Sequence, residues 1–434
     1  MKTRLILLSL AVLFAAACAK TTAPEPQDGP EAAFSITPPE PAEALTRLNL
    51  SVTEQGYIAV GNTMSMRLFK QLARETATTY VCSPLSLQLA LGMLANGTEA
   101  ETQKEILDAI GFGQDGLPVL NLYARHLLQQ LPALGLNGNV NFRVADALLV
   151  TDRYQLGETF YNTLRNFYYA PAASVSFSDP QYVLNLVNDW ANQATQGLIN
   201  PMLSDLDPNA VALLLNALYF KAPWKQVGGE ALFNPDATAD GAFYRSLGTE
   251  TKVQYMNAAQ TFAYADRGKY EVLGIPYDSG KYYLYILLPK QIGDLYVMLD
   301  ELIATPWADV VPHGLESEQI NLFLPKFDIS GDFNLNNALG GLGVHRIFDD
   351  TKAQFGPMFD IDKSGFYVSR VLQKARLSLT EWGTEAGAVT AVEVTEKGSL
   401  SPKKTFKADH PFLFVIAGFE PVMPILFGGV YTGV

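Results

Sequence analysis

The run VALLLNALYF at residues 211–220 constrains the fold more than any other stretch. Its side chains are apolar on both faces, so as a strand it belongs in the middle of a sheet covered on both sides. Other strand-like runs follow: YYLYILLP, INLFLPKF, RLSLTEW, FLFVIAGF and, closing the chain, ILFGGVY. Ahead of it the pattern is mostly helical. MSMRLFKQLA spaces its apolar residues by three and four. SLQLALGMLANG reads as a second helix stopped by Asn96-Gly97. Thr98 with Glu101 reads as a capping box that opens a third helix through Ile110. VNFRVADALLVTD alternates as a strand, whereas FYNTLRNFYY and YVLNLVNDWANQA read as helices. Helices first and strands later, with no βαβ rhythm and no internal repeat, predict an α+β fold.

The 434 residues, 48% of them hydrophobic, suffice for one large domain or two. A net charge of −13 with no dense Lys/Arg stripe excludes nucleic acid as a partner. Lys2 and Arg4 precede LILLSLAVLFAAAC, an apolar run too short to span a membrane but suited to a signal-peptide core. It resembles a bacterial lipoprotein signal, although Ala15 stands where leucine is commoner. Residues 1–17 are therefore expected to be removed and Cys18 to carry lipid. Ala19 after the cysteine favours the outer membrane, so the chain is expected to be exported and lipid-anchored at the bacterial outer membrane or cell surface or in the periplasm, and otherwise secreted. Six prolines between Ala23 and Pro41, among polar residues, make residues 18–45 a semi-rigid tether. With Cys18 lipidated, Cys82 is the one remaining thiol and no intrachain disulfide is expected.

Signatures of catalysis are missing. The four histidines (His126, His313, His345, His410) form no HExxH and no zinc spacing, so neither metal nor cofactor is expected. There is no glycine-rich phosphate loop and no GxSxG elbow. GGLGVH at 340–345 reads as a turn, and Asp349-Asp350 and Asp360/Asp362 as solvated loops rather than calcium ligands. Cys82 paired with a histidine is the one hydrolase reading that composition leaves open, and an inert buried thiol is the simpler one. The chain is not expected to be an enzyme.

One stretch asks for a different explanation. EWGTEAGAVTAVEVTEKGSLSPKKTF, residues 381–406, lies between two buried strands with too few turn residues for a tight hairpin. Loops longer than about 12–15 residues without structure of their own are usually functional or disordered. The even positions run Thr384, Ala386, Ala388, Thr390, Val392 and Val394, while Glu385 and Glu393 fall on the odd set. Such period-two patterning suits a strand whose even face is buried. No proline, which would remove a ladder donor, occurs before Pro402.

Five blocks, in order, carry a resemblance: CSPLSLQLALGMLANGTEAETQKEI, NDWANQATQGLI, LLLNALYFKAPW, GTEAGAVTAV and FKADHPFLFVI. On them the chain resembles the serpins over residues 46–434. The resemblance implies one domain of about nine helices and three β-sheets with an exposed reactive-centre loop. It also implies inhibition of a serine protease as a suicide substrate: the loop is cleaved, the enzyme is trapped as an acyl-enzyme, and the loop inserts into the central sheet. The partner is then a protease, and the membrane is touched through the N-terminal lipid alone.

Residue by residue, the resemblance places a hinge at Glu381, Gly383, Thr384, Glu385, Ala386, Gly387, Ala388, Val389 and Thr390. Counting seventeen residues from Glu381 puts the scissile bond at Lys397-Gly398, suited to a trypsin-like enzyme. A shifted register gives Leu400-Ser401 and a chymotrypsin-like or subtilisin-like target. Ser83, Ser86 and Asn216 match a polar cluster beneath the central strands. Gln373 stands where a histidine is usual; it keeps hydrogen-bonding capacity but not a pH response. Trp224 matches a tryptophan where the loop first inserts. The alternative is a serpin-fold binding or structural protein whose loop is cleaved without trapping.

Overall fold

The first helix begins where a serine and a glutamate satisfy each other's backbone. Ser51 Oγ accepts from the Glu54 N–H at 3.2 Å and the Glu54 carboxylate accepts from the Ser51 N–H at 2.8 Å, a capping box that opens α1 (Val52–Glu75). The structure is a computed structural model and describes residues 34, 40–113, 116–312, 316–359, 365–384, 404–420 and 422–433. α2 (Pro84–Ala95) has proline in its first turn and is buried on every side, as a helix apolar all round must be. α3 (Ala100–Ile110) fills its expected span, but the expected Thr98–Glu101 box does not form. Thr98 still belongs to the turn ending α2, so its hydroxyl and its N–H both donate back to the Ala95 carbonyl, at 2.9 and 3.2 Å. Glu99 takes the N-cap position without a side-chain bond.

After α4 (Gly116–Gly135) come β1 (Asn141–Thr151), α5 (Glu158–Thr163), β2 (Ala172–Val175), α6 (Pro180–Ala194) and β3 (Ala212–Pro223). β4 (Ala239–Ser246), β5 (Thr249–Asp266), β6 (Tyr270–Pro276) and β7 (Tyr282–Pro289) lead to α7 (Leu295–Ala304) and α8 (Trp307–Val310). β8 (Ser317–Pro325), β9 (Phe327–Asn334) and α9 (Asn336–Gly341) precede β10 (Arg370–Thr380) and β11 (Gly383–Thr384). β12 (Lys404–Lys407), β13 (Phe412–Gly418) and β14 (Ile425–Tyr431) complete the order. GGLGVH, expected as a turn, is the end of α9 followed by a turn at Gly343.

The α+β fold expected from the sequence is present, with nine α-helices among the described residues. One sheet has six strands in the order β2-β1-β3-β11-β10-β9; the other has eight, β12-β8-β5-β6-β7-β13-β14 with β4 on β5. Two of the three expected sheets are thus hydrogen-bonded into one. β5, at 18 residues, is long enough to pair with β4, β8 and β6 along its length.

Both faces of β3 are covered, which explains a run apolar at every position from Ala212 to Phe220 except Asn216. Leu213, Leu215 and Ala217 pack with Val187 and Trp190 of α6, whereas Leu214 and Leu218 join the main core that includes α2. Each such leucine, fully buried, contributes about 1.5–3 kcal/mol. At the N-terminus, Phe34 lies within the expected tether yet is buried edge-to-face on Trp190, with ring centroids 6.0 Å apart. Glu40 pairs with Arg143 of β1 at 2.5 Å. Residues 1–17 and Cys18 lie outside the described residues. Among the described residues no helix is long and apolar enough to cross a membrane.

Candidate functional site

β3 and β10 pair in parallel from Leu213–Arg370 to Leu218–Ala375. Higher up, the chain leaving β10 turns back through Glu381 and Trp382 and places β11 between the two strands. Gly383 pairs with Pro223 of β3 and Thr380 of β10, and Thr384 with Ala222 and Leu379. Gly383 has φ +143°, and a Cβ there would lie 2.1 Å from the Ala222 carbonyl oxygen, so glycine alone fits the approach.

A small shell of side chains holds this wedge. Thr384 is fully buried, and its hydroxyl shares a 2.6 Å hydrogen bond with the Tyr277 hydroxyl. Trp224 stacks on Tyr277, with centroids 4.7 Å apart and planes 8° apart. Its indole N–H donates to the Thr380 carbonyl at 2.9 Å and its backbone N–H to the Trp382 carbonyl at 3.1 Å. Glu381 is buried and accepts from Lys326 at 2.9 Å and from Thr238 at 2.8 Å. Burial alone would raise this carboxyl; hydrogen bonds from its own backbone, Lys326 and Thr238 outweigh it and hold Glu381 below the usual carboxylate range.

Beneath the paired part of the seam, the structure brings Ser83, Ser86, Asn216 and Gln373 together, all fully buried. The network has a direction. The Ser83 N–H donates to Gln373 Oε1 at 2.9 Å, which fixes the amide so that Nε2 donates to Ser83 O at 2.9 Å and to Asn216 Oδ1 at 2.6 Å. Asn216, its oxygen thus occupied, turns Nδ2 toward Ser86 Oγ and Asp146 Oδ1. Ser83 Oγ donates to the Leu426 carbonyl at 2.7 Å and accepts the Ser86 N–H at 3.2 Å, capping α2 at the same time. Asp146 sits opposite Asn216 in register on β1 and is buried, and burial pushes its carboxyl up to about 8, partly offset by the Asn216 bond.

Sequence reasoning missed Asp146, Tyr277, Lys326 and Thr238. Asp146 left one trace, an acid within the otherwise apolar ADALLV of a predicted strand. The other three reach the wedge from segments distant in sequence, and nothing local marks them. The hinge residues Glu385, Ala386, Gly387, Ala388, Val389 and Thr390, and both candidate bonds, Lys397-Gly398 and Leu400-Ser401, lie outside the described residues.

The other candidate residues among the described ones are held by their neighbours. Cys82 is fully buried and free, and burial pushes its thiol far above the usual cysteine range, which leaves no thiolate for a hydrolase. His126 bonds Glu54 at 2.7 Å, and His410 lies between Asp409 and the Pro289 carbonyl. Asp349 gathers the Thr351 and Lys352 side chains of its own turn. Among the described residues no group of three or more His, Cys, Asp or Glu is placed to hold a metal.

Comparison with known proteins places this architecture. The profile of the family described as serpin (serine protease inhibitor) matches residues 59–432. The chain is 31% identical to alpha-1-antiproteinase of Rattus norvegicus over 377 residues, 84% of this chain and 86% of the other. The native-state structure of tengpin, a thermophilic serpin, superposes with a TM-score of 0.78 at 26% identity, covering 91% of this chain and 97% of that one. Human thyroxine-binding globulin, solved in complex with thyroxine, shares the fold at a TM-score of 0.73 and 24% identity, over 88% of this chain and 99% of its own. The wedge between β3 and β10, the polar cluster below it and the length of these matches agree: the chain is a member of the serpin family.

Proposed function

We propose that this protein inhibits serine proteases as a suicide substrate, with the loop after β11 as bait and the β3–β10 seam as the slot. One observation carries the reading: Gly383 and Thr384 already pair as a strand between β3 and β10, in line with the small, alternating residues that follow them. A protease serine attacks the Lys397 carbonyl, the Gly398 amine leaves, and the acylated loop continues the strand that β11 has begun. Insertion adds a ladder of backbone hydrogen bonds and buries the even-numbered side chains, the sheet-edge mode of peptide recognition applied within one molecule. The uncleaved form then persists by a kinetic barrier. Lysine at the scissile position favours trypsin-like enzymes, whose specificity pocket offers a carboxylate. Lipid on Cys18, with residues 18–45 as spacer, would hold the inhibitor at a membrane surface.

A thyroxine-bound globulin shares the fold, so the assay reads the trap itself. Protein lacking residues 1–18 is mixed with trypsin and followed on a denaturing gel, with mass spectrometry of the released peptide. A covalent complex and a peptide beginning at Gly398 are expected. Clean cleavage with trypsin fully active overturns the reading for this enzyme class, and a peptide beginning at Ser401 moves the bond.

A further inference from the structure

Gln373 occupies the site where the family pattern has a histidine, yet the polar cluster beneath the seam is not without an ionisable group. Asp146 lies one strand over, on β1, and joins Asn216 and, through it, Gln373. We propose that Asp146 is a proton-controlled latch on this seam: protonated, it keeps β1, β3 and β10 closed over α2, and ionised, it promotes their parting. The proposal rests on the inhibitory reading for its purpose, but not for its chemistry.

The geometry explains why this carboxyl matters. The seam that must open runs between β3 and β10, so Asn216 and Asp146 travel with one side while Gln373 stays on the other. Parting breaks the Gln373–Asn216 bond, and Asn216, freed from its fixed flip, no longer shields Asp146 from water. In the closed state that carboxyl has, among the described residues, a single donor, Asn216 Nδ2, which it shares with Ser86. One shared amide is poor solvation for a buried charge.

Among the described residues the neighbours offer no counter-charge. α2 presents Ser86 and has no ionisable side chain, and β2 (AASV) has none either. Tyr168, just after α5, faces Asp146, but its hydroxyl is buried, donates to Asn121 and is itself driven far above the usual tyrosine range, by burial first and by Asp146 as a lesser cause. On α4, His126 is taken by Glu54, Tyr123 packs against Tyr57 and Phe112, and the Arg125 guanidinium lies over the Phe167 ring. On β3, Lys221 is exposed at the far end. On β10, Lys374 pairs with Asp332 of β9 and Arg376 with Asp328, both beside the neighbouring residues rather than on β1. Arg143, odd-numbered on β1, points to the opposite face and meets Glu40.

The sign follows from linkage. Burial raises the closed-state pKa to about 8, whereas an opened, wetted carboxyl returns toward the ordinary acidic range. The closed seam therefore binds the proton more tightly. Its extra stability is complete in acid and is lost as pH rises through about 8.

The test compares wild type with Asp146→Asn, which keeps the shape and cannot ionise, and with Asp146→Ser should the first fold poorly. Two quantities are followed from about pH 6 to about pH 9: the urea midpoint of the uncleaved form and the rate at which it converts on warming to a urea-resistant, loop-inserted form. One proton sets a ceiling of about tenfold per pH unit. Wild-type conversion is expected to quicken about three- to tenfold per pH unit toward pH 8 and then level off, with the urea midpoint falling in parallel, while the variants give flat profiles. A flat wild-type profile, or a variant that keeps the wild-type slope, overturns the latch. If the slope depends on Asp146 but no covalent trypsin complex forms at any pH, the latch stands and the inhibitory reading fails. Complexes formed with a flat profile mean the reverse.

Discussion

Two apolar strands, β3 and β13, look alike in sequence and are built into opposite kinds of neighbourhood. β13 (FLFVIAG) pairs antiparallel with β7 on one side and β14 on the other, without a polar side chain anywhere along it. β3 pairs in parallel with β10 over Leu213–Leu218, a geometry slightly less stable per residue, and then diverges around β11. Beneath β3 lies the chain of Ser83, Gln373, Asn216 and Asp146; beneath β14, Gly429 lets the Tyr80 carbonyl approach so closely that a Cβ would lie 1.9 Å from it. Close apolar packing has no half-open state of low energy. A directional polar network has one, because its partners can be exchanged for new backbone groups. On the proposed mechanism, the six-stranded sheet is the one to part, at the polar cluster between β3 and β10, while β13, which carries no polar side chain, holds its place between β7 and β14.

The largest effect that sharpens this contrast is expected in the holding region. Phe414 of β13 is fully buried, opposite Gly429 and Ile286, with its ring 5.4 Å from that of Phe327. Phe414→Ala should cost about 3–5 kcal/mol. Urea titration should show that loss in uncleaved and loop-cleaved protein alike, with the trypsin stoichiometry unchanged. A loss confined to one form would mean that the second sheet also takes part in opening.

Next in size is the seam. Gln373→Leu keeps the volume but leaves the Ser83 N–H and Asn216 Oδ1 without partners, at about 1–3 kcal/mol for a stranded buried group. On the proposed mechanism, this loss should appear in the uncleaved form, where the network is closed, and largely vanish after cleavage, where insertion would separate β3 from β10. Equal losses in both forms would make the cluster ordinary core and erase the contrast with β13.

How much of this was legible in advance depends on how local each signal was. β3, β7, β13 and β14 were readable because continuous apolar runs mark strands buried on both faces. Ser83, Ser86 and Asn216 match by motif within the quoted blocks, whereas Gln373 lies outside them, where a histidine is usual; the structure joins the four across sequence gaps of up to 290 residues. Asp146 was passed over because an acid in an alternating strand normally faces water, and the pattern cannot tell which side α2 covers. Thr98 misled for the opposite reason: its spacing to Glu101 is right, but the turn ending α2 had already claimed its hydroxyl. Strand β5 escaped notice because much of its length is exposed on one face and its alternation is weak. Tyr277 and Lys326 carry no sequence signal at all, since their role exists only where β11 ends.

Tyr277 gives the finest cut between holding and opening. Its ring stacks on Trp224, which should survive Tyr277→Phe, so the substitution removes the 2.6 Å bond to Thr384 and little else. The expected cost is about 0.5–1.5 kcal/mol in the uncleaved protein. Thr384→Val removes the other hydroxyl at nearly constant shape. If the pair holds the start of the inserted strand, each single variant should raise the number of inhibitor molecules consumed per trypsin trapped, because the first step of insertion loses its anchor. The double variant should cost clearly less than the sum of the two, since the second loss has no partner left to strand. Strict additivity would show that the hydroxyls merely fill space, and that the glycine approach at Gly383 together with Trp224 holds the wedge in place.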